Sequence, residues 1–171
     1  ALNLYEWLLK GEEKARNWLM VAEVQVKMAE IYARRKQPEK AIGLITSAIQ
    51  LNNDIKNFSN RYRNIITIAL LLLDLEEYDQ LQNLLIQQDF NFNKLNKEDV
   101  QKLWLIDGHI LYHEKKYSEA LESLTKFTEY TELNISVSLF AKTYLLLAEM
   151  YQQGNQPEKS NQFWSKAAVY L

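Results

Sequence analysis

The sequence has no cysteine, only four glycines and two prolines, and little net charge. The absence of cysteine excludes disulfides and cysteine metal sites, and it removes one indicator of the redox compartment. A β-rich fold needs many tight turns, which require glycine, proline, asparagine or aspartate at fixed positions. Helices joined by short corners need far fewer of these residues. The scarcity of glycine and proline in 171 residues therefore predicts an all-α chain.

Strong charge and long apolar runs are also missing. The formal net charge is −2, so no positive field would attract nucleic acid, and we expect no nucleic-acid partner. The longest apolar stretch, residues 65–73, is interrupted by Thr67 and followed by Asp74. A membrane span needs about 20 apolar residues, so this stretch predicts a buried helix instead. The first residue is Ala1, as expected of a fragment of a longer protein; the compartment stays open, with the cytoplasm favoured.

An internal repeat relates the two ends of the chain. Residues 29–32 read Ala-Glu-Ile-Tyr and residues 148–151 read Ala-Glu-Met-Tyr (148 − 29 = 119). The sequence Gln-Pro-Glu-Lys at 37–40 and 156–159 has the same offset, which is three periods of about 40 residues. Segments that end at residues 81 and 120 supply two intervening copies. Regular steps of this length predict stacked pairs of helices.

Apolar side chains at helical spacing indicate where the helices lie, as at Val21, Val24 and Met28. Ser118 in the third unit, and Asn134 or Ser136 in the fourth, are candidate N-caps. We predict one domain over 1–171 with a short helix near 2–10 and four units at 14–53, 59–95, 97–133 and 136–171. Their helix pairs are predicted at 14–36 and 39–53, 59–75 and 78–88, 97–114 and 117–133, and 136–153 and 157–170.

Small residues recur where the two helices of a unit would cross closely, a geometry that bulky side chains prevent. They are Ala29, Ala41 and Ala48 in unit one, Gly108 and Ala120 in unit three, and Ala148, Ser160 and Ala167 in unit four. Phe127 takes the third place in unit three, and unit two departs with Leu81 and Gln88. Asp107 stands where an apolar residue is expected.

This pattern resembles the tetratricopeptide repeat family, in a long form of about 40 residues similar to repeats of bacterial signalling proteins. The resemblance implies a right-handed α-solenoid of about four antiparallel helix pairs. It also implies a non-enzymatic scaffold that binds a protein or peptide segment in its concave groove. The alternative is a ligand-sensing regulatory domain of a larger bacterial signalling or transcription-regulator protein, which is an analogy of fold alone.

In this family the groove is lined by the first helix of each pair. The corresponding positions here are Glu23, Val26, Glu30, Arg34, Arg63, Ile66, Leu70, Leu73, Lys102, Leu105, His109, Tyr112, Lys142, Leu145, Glu149 and Gln152. The carboxylate clamp of co-chaperones is not expected, because Val26 and Glu30 stand where it needs lysine and asparagine.

Residues 64–74 are apolar on almost every side of the predicted helix, so Ile66, Leu70 and Leu73 must be covered by something. Neighbouring helices of a tightly wound solenoid would cover them. The other possibility is an apolar floor for an amphipathic helix or peptide.

Catalytic and metal chemistry is not expected. His109 and His113 are four residues apart and are followed by Glu114, but no third ligand with useful spacing is evident. No glycine-rich phosphate loop and no Gly-x-Ser-x-Gly elbow occur. We therefore expect no catalytic residues, no metal and no cofactor. The apolar residues Trp164, Val169 and Tyr170 predict self-association through the C-terminal helix.

Overall fold

The computed structural model describes residues 1–53, 58–86, 95–129 and 135–171. Every regular element in these ranges is an α-helix and none is a strand, so the predicted all-α class is confirmed. The chain divides into two compact units, Ala1–Leu95 and Asn96–Leu171. The single domain and the solenoid arrangement stay predictions.

The first unit contains the short N-terminal helix and two predicted pairs. Asn17 caps the second helix by accepting a hydrogen bond from the Met20 N–H at 3.5 Å. The predicted helix 14–36 is therefore wrong at its start, because the chain turns between Lys14 and Trp18. Gln88 was predicted at the helix crossing of the second repeat (59–95), and it lies outside the described residues. The helices are α1 (Leu2–Lys14), α2 (Trp18–Arg34), α3 (Pro38–Asn53), α4 (Phe58–Asp74) and α5 (Tyr78–Ile86).

The second unit contains the other two pairs. Ser136 caps its third helix, as predicted, by accepting from the Leu139 N–H at 3.1 Å. Ser118 is not a cap: the residue before the second helix is Lys116, whose side chain makes no capping bond. Asn134, the alternative cap, lies outside the described residues. The helices are α6 (Lys97–His113), α7 (Tyr117–Thr128), α8 (Val137–Gln153) and α9 (Pro157–Ala168).

One type of turn joins the helices of each hairpin. In the α2–α3 turn, the Lys36 N–H donates to the Ala33 carbonyl at 2.9 Å and the Gln37 N–H donates to the Tyr32 carbonyl at 3.0 Å. This is a Schellman motif, and its central residue has positive φ. The residues with this conformation in the described chain are Arg16, Lys36, Glu76, Lys115 and Asn155. The last four follow one another at steps of 40, 39 and 40 residues, so the sequence period recurs in the backbone.

The same side-chain pair accompanies this turn in two of the hairpins. Lys40 Nζ lies 5.4 Å from the centre of the Tyr32 ring, and Lys159 Nζ lies 5.1 Å from the centre of the Tyr151 ring. Both pairs are cation–π contacts. The two lysines are 119 residues apart, and so are the two tyrosines, which is the offset found in the sequence. The internal repeat is therefore also a repeat of local packing.

Small residues occupy the helix crossings, as the pattern predicted. Ala29 and Ala41 are fully buried in the α2–α3 hairpin. In the α8–α9 hairpin, the Ser160 hydroxyl donates to the Ala148 carbonyl at 2.9 Å, which requires the two helices to approach closely. Asp107 is exposed and accepts a hydrogen bond from the Ser123 hydroxyl at 2.7 Å, which explains a polar residue at that position.

The two units have different cores. In the first unit, α1 packs on α2 through Leu2, Val24 and Met28. In the second unit, aromatic rings fill the space between α8 and α9. Tyr151 and Phe163 stack with centroids 5.4 Å apart and an interplanar angle of 1°.

Candidate partner-binding face

The predicted groove residues of the first unit are mostly buried. Glu30 is half-buried and forms a salt bridge to Lys27 at 3.0 Å. Arg34 and Arg63 are exposed, and Glu23 is half-buried. Those that are buried are Val26, Ile66, Leu70 and Leu73.

The apolar side of α4 is covered within the chain. Ile66, Leu70 and Leu73 have exposed fractions of 1%, 8% and 1%. An apolar floor open to a partner would need exposed side chains. The burial therefore favours the alternative in which the chain itself covers this helix.

In the second unit, α6 and α8 carry the predicted groove residues, and they differ in exposure. Leu105 is fully buried. Lys102 is largely buried and pairs with Glu98 at 2.6 Å. Lys142 and Leu145 are half-buried, and Glu149 and Gln152 are exposed. The accessible part of this face is thus supplied mainly by α8.

His109 is a buried link between α6 and α8. Its Nε2 lies 2.8 Å from Thr143 Oγ1, and the Thr143 hydroxyl donates to the Leu139 carbonyl at 2.6 Å. Because that hydroxyl proton is already used, Oγ1 accepts from His109, which assigns the neutral Nε2–H tautomer. Burial, and then the charge of Lys142, lowers the pKa of His109 to about 4. His109, one of the predicted groove positions, is thus buried between the two helices.

Tyr112 is the second link between these helices. Burial raises the pKa of Tyr112, and the nearby charge of Glu149, the Tyr117 side chain and a hydrogen bond to Glu149 raise it further. Two residues of the predicted groove are thus brought together, one from α6 and one from α8.

Tyr117, which was not among the predicted groove residues, packs against Tyr112. Its ring centroid lies 5.4 Å from that of Tyr112, at an interplanar angle of 65°, and 46% of the side chain is exposed. Tyr117 is the first residue of α7. The sequence repeat predicted a corner between two helices at that position but no contact surface. The equivalent corner of the second pair also begins with a tyrosine, Tyr78, and this recurrence was the available signal.

Several large apolar side chains lie outside these faces. Leu4 and Trp7 of α1 are 65% and 71% exposed. Near the C-terminus, Trp164 and Val169 are exposed, whereas Tyr170 is half-buried and stacks on Phe140 with centroids 5.1 Å apart. The predicted self-association surface therefore keeps two of its three residues available and stays a prediction.

Metal sites and membrane spans are absent from the described ranges. There, no group of three or more His, Asp or Glu side chains could hold a metal ion. No helix in those ranges is both long and apolar enough to cross a membrane. Comparison of the chain with protein-family models, curated proteins and solved structures finds no match to any of them.

Proposed function

We propose that the chain is a non-enzymatic helical-repeat module of the tetratricopeptide type that binds a protein or peptide segment. One observation carries this proposal: the same Schellman turn recurs at Lys36, Glu76, Lys115 and Asn155. Helix pairs that repeat in this way typically serve as scaffolds whose stacked helices present an extended surface. Proteins of this kind bind through side chains of that surface and need no cofactor.

The α6–α8 face of the second unit is our candidate for the contact surface. It combines the half-buried Lys142 and Leu145 with the exposed Glu149. Tyr112 of α6 adds an aromatic ring that packs against Tyr117 with centroids 5.4 Å apart. A surface of mixed apolar and charged groups supports specific binding.

The environment of His109 supports a structural role for this residue. Its ring is buried and held between the two helices by Thr143. A general base must reach the proton that it abstracts, and a ring in this position has no such access. We therefore assign His109 to the core beneath the face.

Photo-crosslinking tests the proposal and requires no assumption about which protein is the partner. p-Benzoylphenylalanine would replace Leu145 on the candidate face, and Ser165, an exposed residue of α9, in a matched control. In the cells that express the protein, we expect the probe at position 145 to crosslink to one discrete protein. This product should be lost when Glu149 is also changed to Lys. The probe at position 165 should give no such product. Identical products from both positions, or none from position 145, would refute the proposal.

The alternative function, a ligand-sensing regulatory domain, stays a prediction. An attached DNA-binding, kinase or cyclase domain in the full-length protein would favour it. A crosslinked protein partner at position 145 would favour the scaffold.

A further inference from the structure

Helix α1 presents two large apolar side chains to solvent. Leu4 and Trp7 lie about one helical turn apart and are 65% and 71% exposed. On another side of the helix, Leu8 packs against the apolar cluster that Leu2 forms with residues of α2. The helix therefore has more apolar surface than its contact with α2 uses, whereas a helix packed on one side only should be polar on the other.

The 40-residue period places α1 in the register of the second helix of a pair. Ala1 lies one period before the small residue Ala41 (41 − 40 = 1). In the same register, Leu8 corresponds to Phe127 of α7, three periods later (127 − 8 = 119). Phe127 contacts the first helix of the next pair, with its ring centroid 6.0 Å from that of Phe140 in α8. Leu8 likewise packs toward α2, so α1 has both the register and the contact of a second helix.

The position of Leu4 is covered in each of the four pairs. The Ser123 hydroxyl of α7 donates to Asp107 of α6 at 2.7 Å, and Phe163 of α9 stacks on Tyr151 of α8. Both contacts are made with the first helix of the same pair. The equivalent positions, at steps of 40, 40, 39 and 40 residues from Leu4, are all buried or half-buried: Leu44, Leu84, Ser123 and Phe163. Leu4 is thus exposed at a position that a first helix otherwise covers.

The position of Trp7 has a contact of the same kind in the last pair. Its equivalent in α9 is Lys166, four periods later (166 − 7 = 159, which is 119 + 40). Lys166 Nζ lies 5.7 Å from the centre of the Tyr144 ring in α8. Leu4 and Trp7 therefore share the side of α1 on which a second helix meets its first helix. Large apolar side chains exposed together indicate an interaction surface.

We infer that Leu4 and Trp7 form the contact surface for a helix that precedes Ala1 in the full-length polypeptide. That helix and α1 form a further pair of the same kind, with the apolar side chains of α1 buried between them. A second copy of the chain is the competing occupant, but the repeat register accounts for the positions of both residues without it. The inference depends on the repeat and not on the α6–α8 face, so it goes beyond the proposed function.

The four pairs specify what the preceding helix should look like. Their first helices each have a small residue 12 positions before residues 41, 81, 120 and 160: Ala29, Ala69, Gly108 and Ala148. These helices, α2, α4, α6 and α8, are each 17 residues long. We therefore expect an amphipathic helix of about 17 residues, with Gly, Ala or Ser at the twelfth position before Ala1.

The reactivity of an introduced cysteine tests this inference, because the chain has no cysteine of its own. Leu4→Cys is made in the 171-residue chain and in the full-length polypeptide, in which any other cysteine is changed to serine. In the 171-residue chain, we expect N-ethylmaleimide to modify it at the rate of an exposed thiol. In the full-length polypeptide the reaction should be at least about tenfold slower, because a thiol under a packed helix reacts only when that helix opens.

Two further cysteines complete the design. Trp7→Cys should show the same protection as Leu4→Cys, because both side chains lie on the proposed contact surface. Asn3→Cys is the matched control and should react at the same rate in both proteins. Asn3 is exposed, and so are its equivalents in the four pairs: Gly43, Asn83, Glu122 and Gln162.

Equal rates for Leu4→Cys in the two proteins would overturn the inference, and so would a preceding sequence without the expected helix and its small residue. Protection of Leu4→Cys that already exists in the 171-residue chain and grows with protein concentration would assign the surface to a second copy, and this would overturn it as well. None of these results affects the crosslink from position 145, so the proposed function is tested separately.

Discussion

Gly108 of α6 lies so close to Leu124 of α7 that no side chain fits between them. A Cβ at position 108 would come within 2.5 Å of Leu124 Cγ and 3.2 Å of the Leu124 backbone nitrogen. The first distance cannot be relieved by a small rotation of the side-chain tip, and the second involves the backbone. The two helices would have to move apart. Glycine at this crossing is therefore a packing requirement of the α6–α7 hairpin.

Gly108→Ala should lower the free energy of unfolding by about 1–3 kcal/mol, the usual cost of overpacking a core. Gly43→Ala is the matched control, because Gly43 is also inside a helix but a Cβ there meets nothing within 4 Å. That control should gain up to about 1 kcal/mol from helix propensity. Urea unfolding measures both. Equal stabilisation by the two substitutions would show that α6 and α7 do not cross as closely as this structure has them.

The α2–α3 hairpin contains an uncompensated polar group. Gln25 is buried in α2, and its Oε1 has no hydrogen-bond partner. A buried acceptor without a partner costs about 1–3 kcal/mol, so Gln25→Leu should raise the free energy of unfolding by an amount in this range. Gln50→Leu, at an exposed position of α3, should change it little.

Chemical denaturation of both variants measures the difference. Loss of stability in Gln25→Leu alone would mean that the amide has a partner in solution, such as a buried water. A gain for both substitutions would trace the effect to leucine in a helix and not to the buried acceptor.

The fold could be predicted from the sequence where residues act locally. The Gln-Pro-Glu-Lys segments predicted turns between helices, and the small residues Ala29, Ala41 and Gly108 predicted close helix crossings. Both features depend on the adjacent backbone, and the structure has both. The turn at Arg16 could not be predicted in this way, because Arg16 and its neighbours carry no glycine or proline at the corner. Ser118 failed as a cap because its hydroxyl lies inside the first turn of α7.

The candidate site was less predictable because exposure depends on residues far away in the sequence. The periodicity of α4 shows that Leu70 must be covered but not by what, and the structure buries it. His109 and Thr143 are 34 residues apart, so their hydrogen bond follows from the packing of α6 beside α8 and not from any motif.

The recurring turn makes a prediction about backbone strain. Lys36 adopts φ 56°, a conformation that costs about 1–2 kcal/mol for a residue with a Cβ and nothing for glycine. Part of the gain from glycine is lost to the greater freedom of the unfolded chain, so Lys36→Gly should raise stability by at most about 1 kcal/mol.

Two further substitutions give this prediction its controls. Lys36→Val should be destabilising, because β-branched residues resist positive φ. Asn155→Gly should give a smaller gain than Lys36→Gly, because asparagine tolerates the φ of 52° found there. Thermal unfolding measures all three. If Lys36→Val is as stable as the parent protein, the turn does not have this geometry.

The buried His109 makes stability depend on pH in a defined window. Its pKa is about 4 in the folded chain, against an ordinary value of 6.5, so the unfolded state binds a proton more readily. Stability from this residue is fully present above about pH 6.5 and falls as the pH drops toward 4. A difference of this size corresponds to about 3 kcal/mol at most.

His109→Gln should remove this dependence while keeping an N–H donor for Thr143. The free energy of unfolding of the parent protein and of the variant, measured between pH 7 and pH 4, should therefore converge as the pH falls. Because the carboxylates titrate alike in both proteins, the difference between the two curves isolates the histidine. His113→Gln, at an exposed position of the same helix, is the matched control for the change from histidine to glutamine. Parallel curves for the parent and His109→Gln would mean that His109 binds a proton equally well in the folded and unfolded states, and the neutral link between α6 and α8 would have to be abandoned.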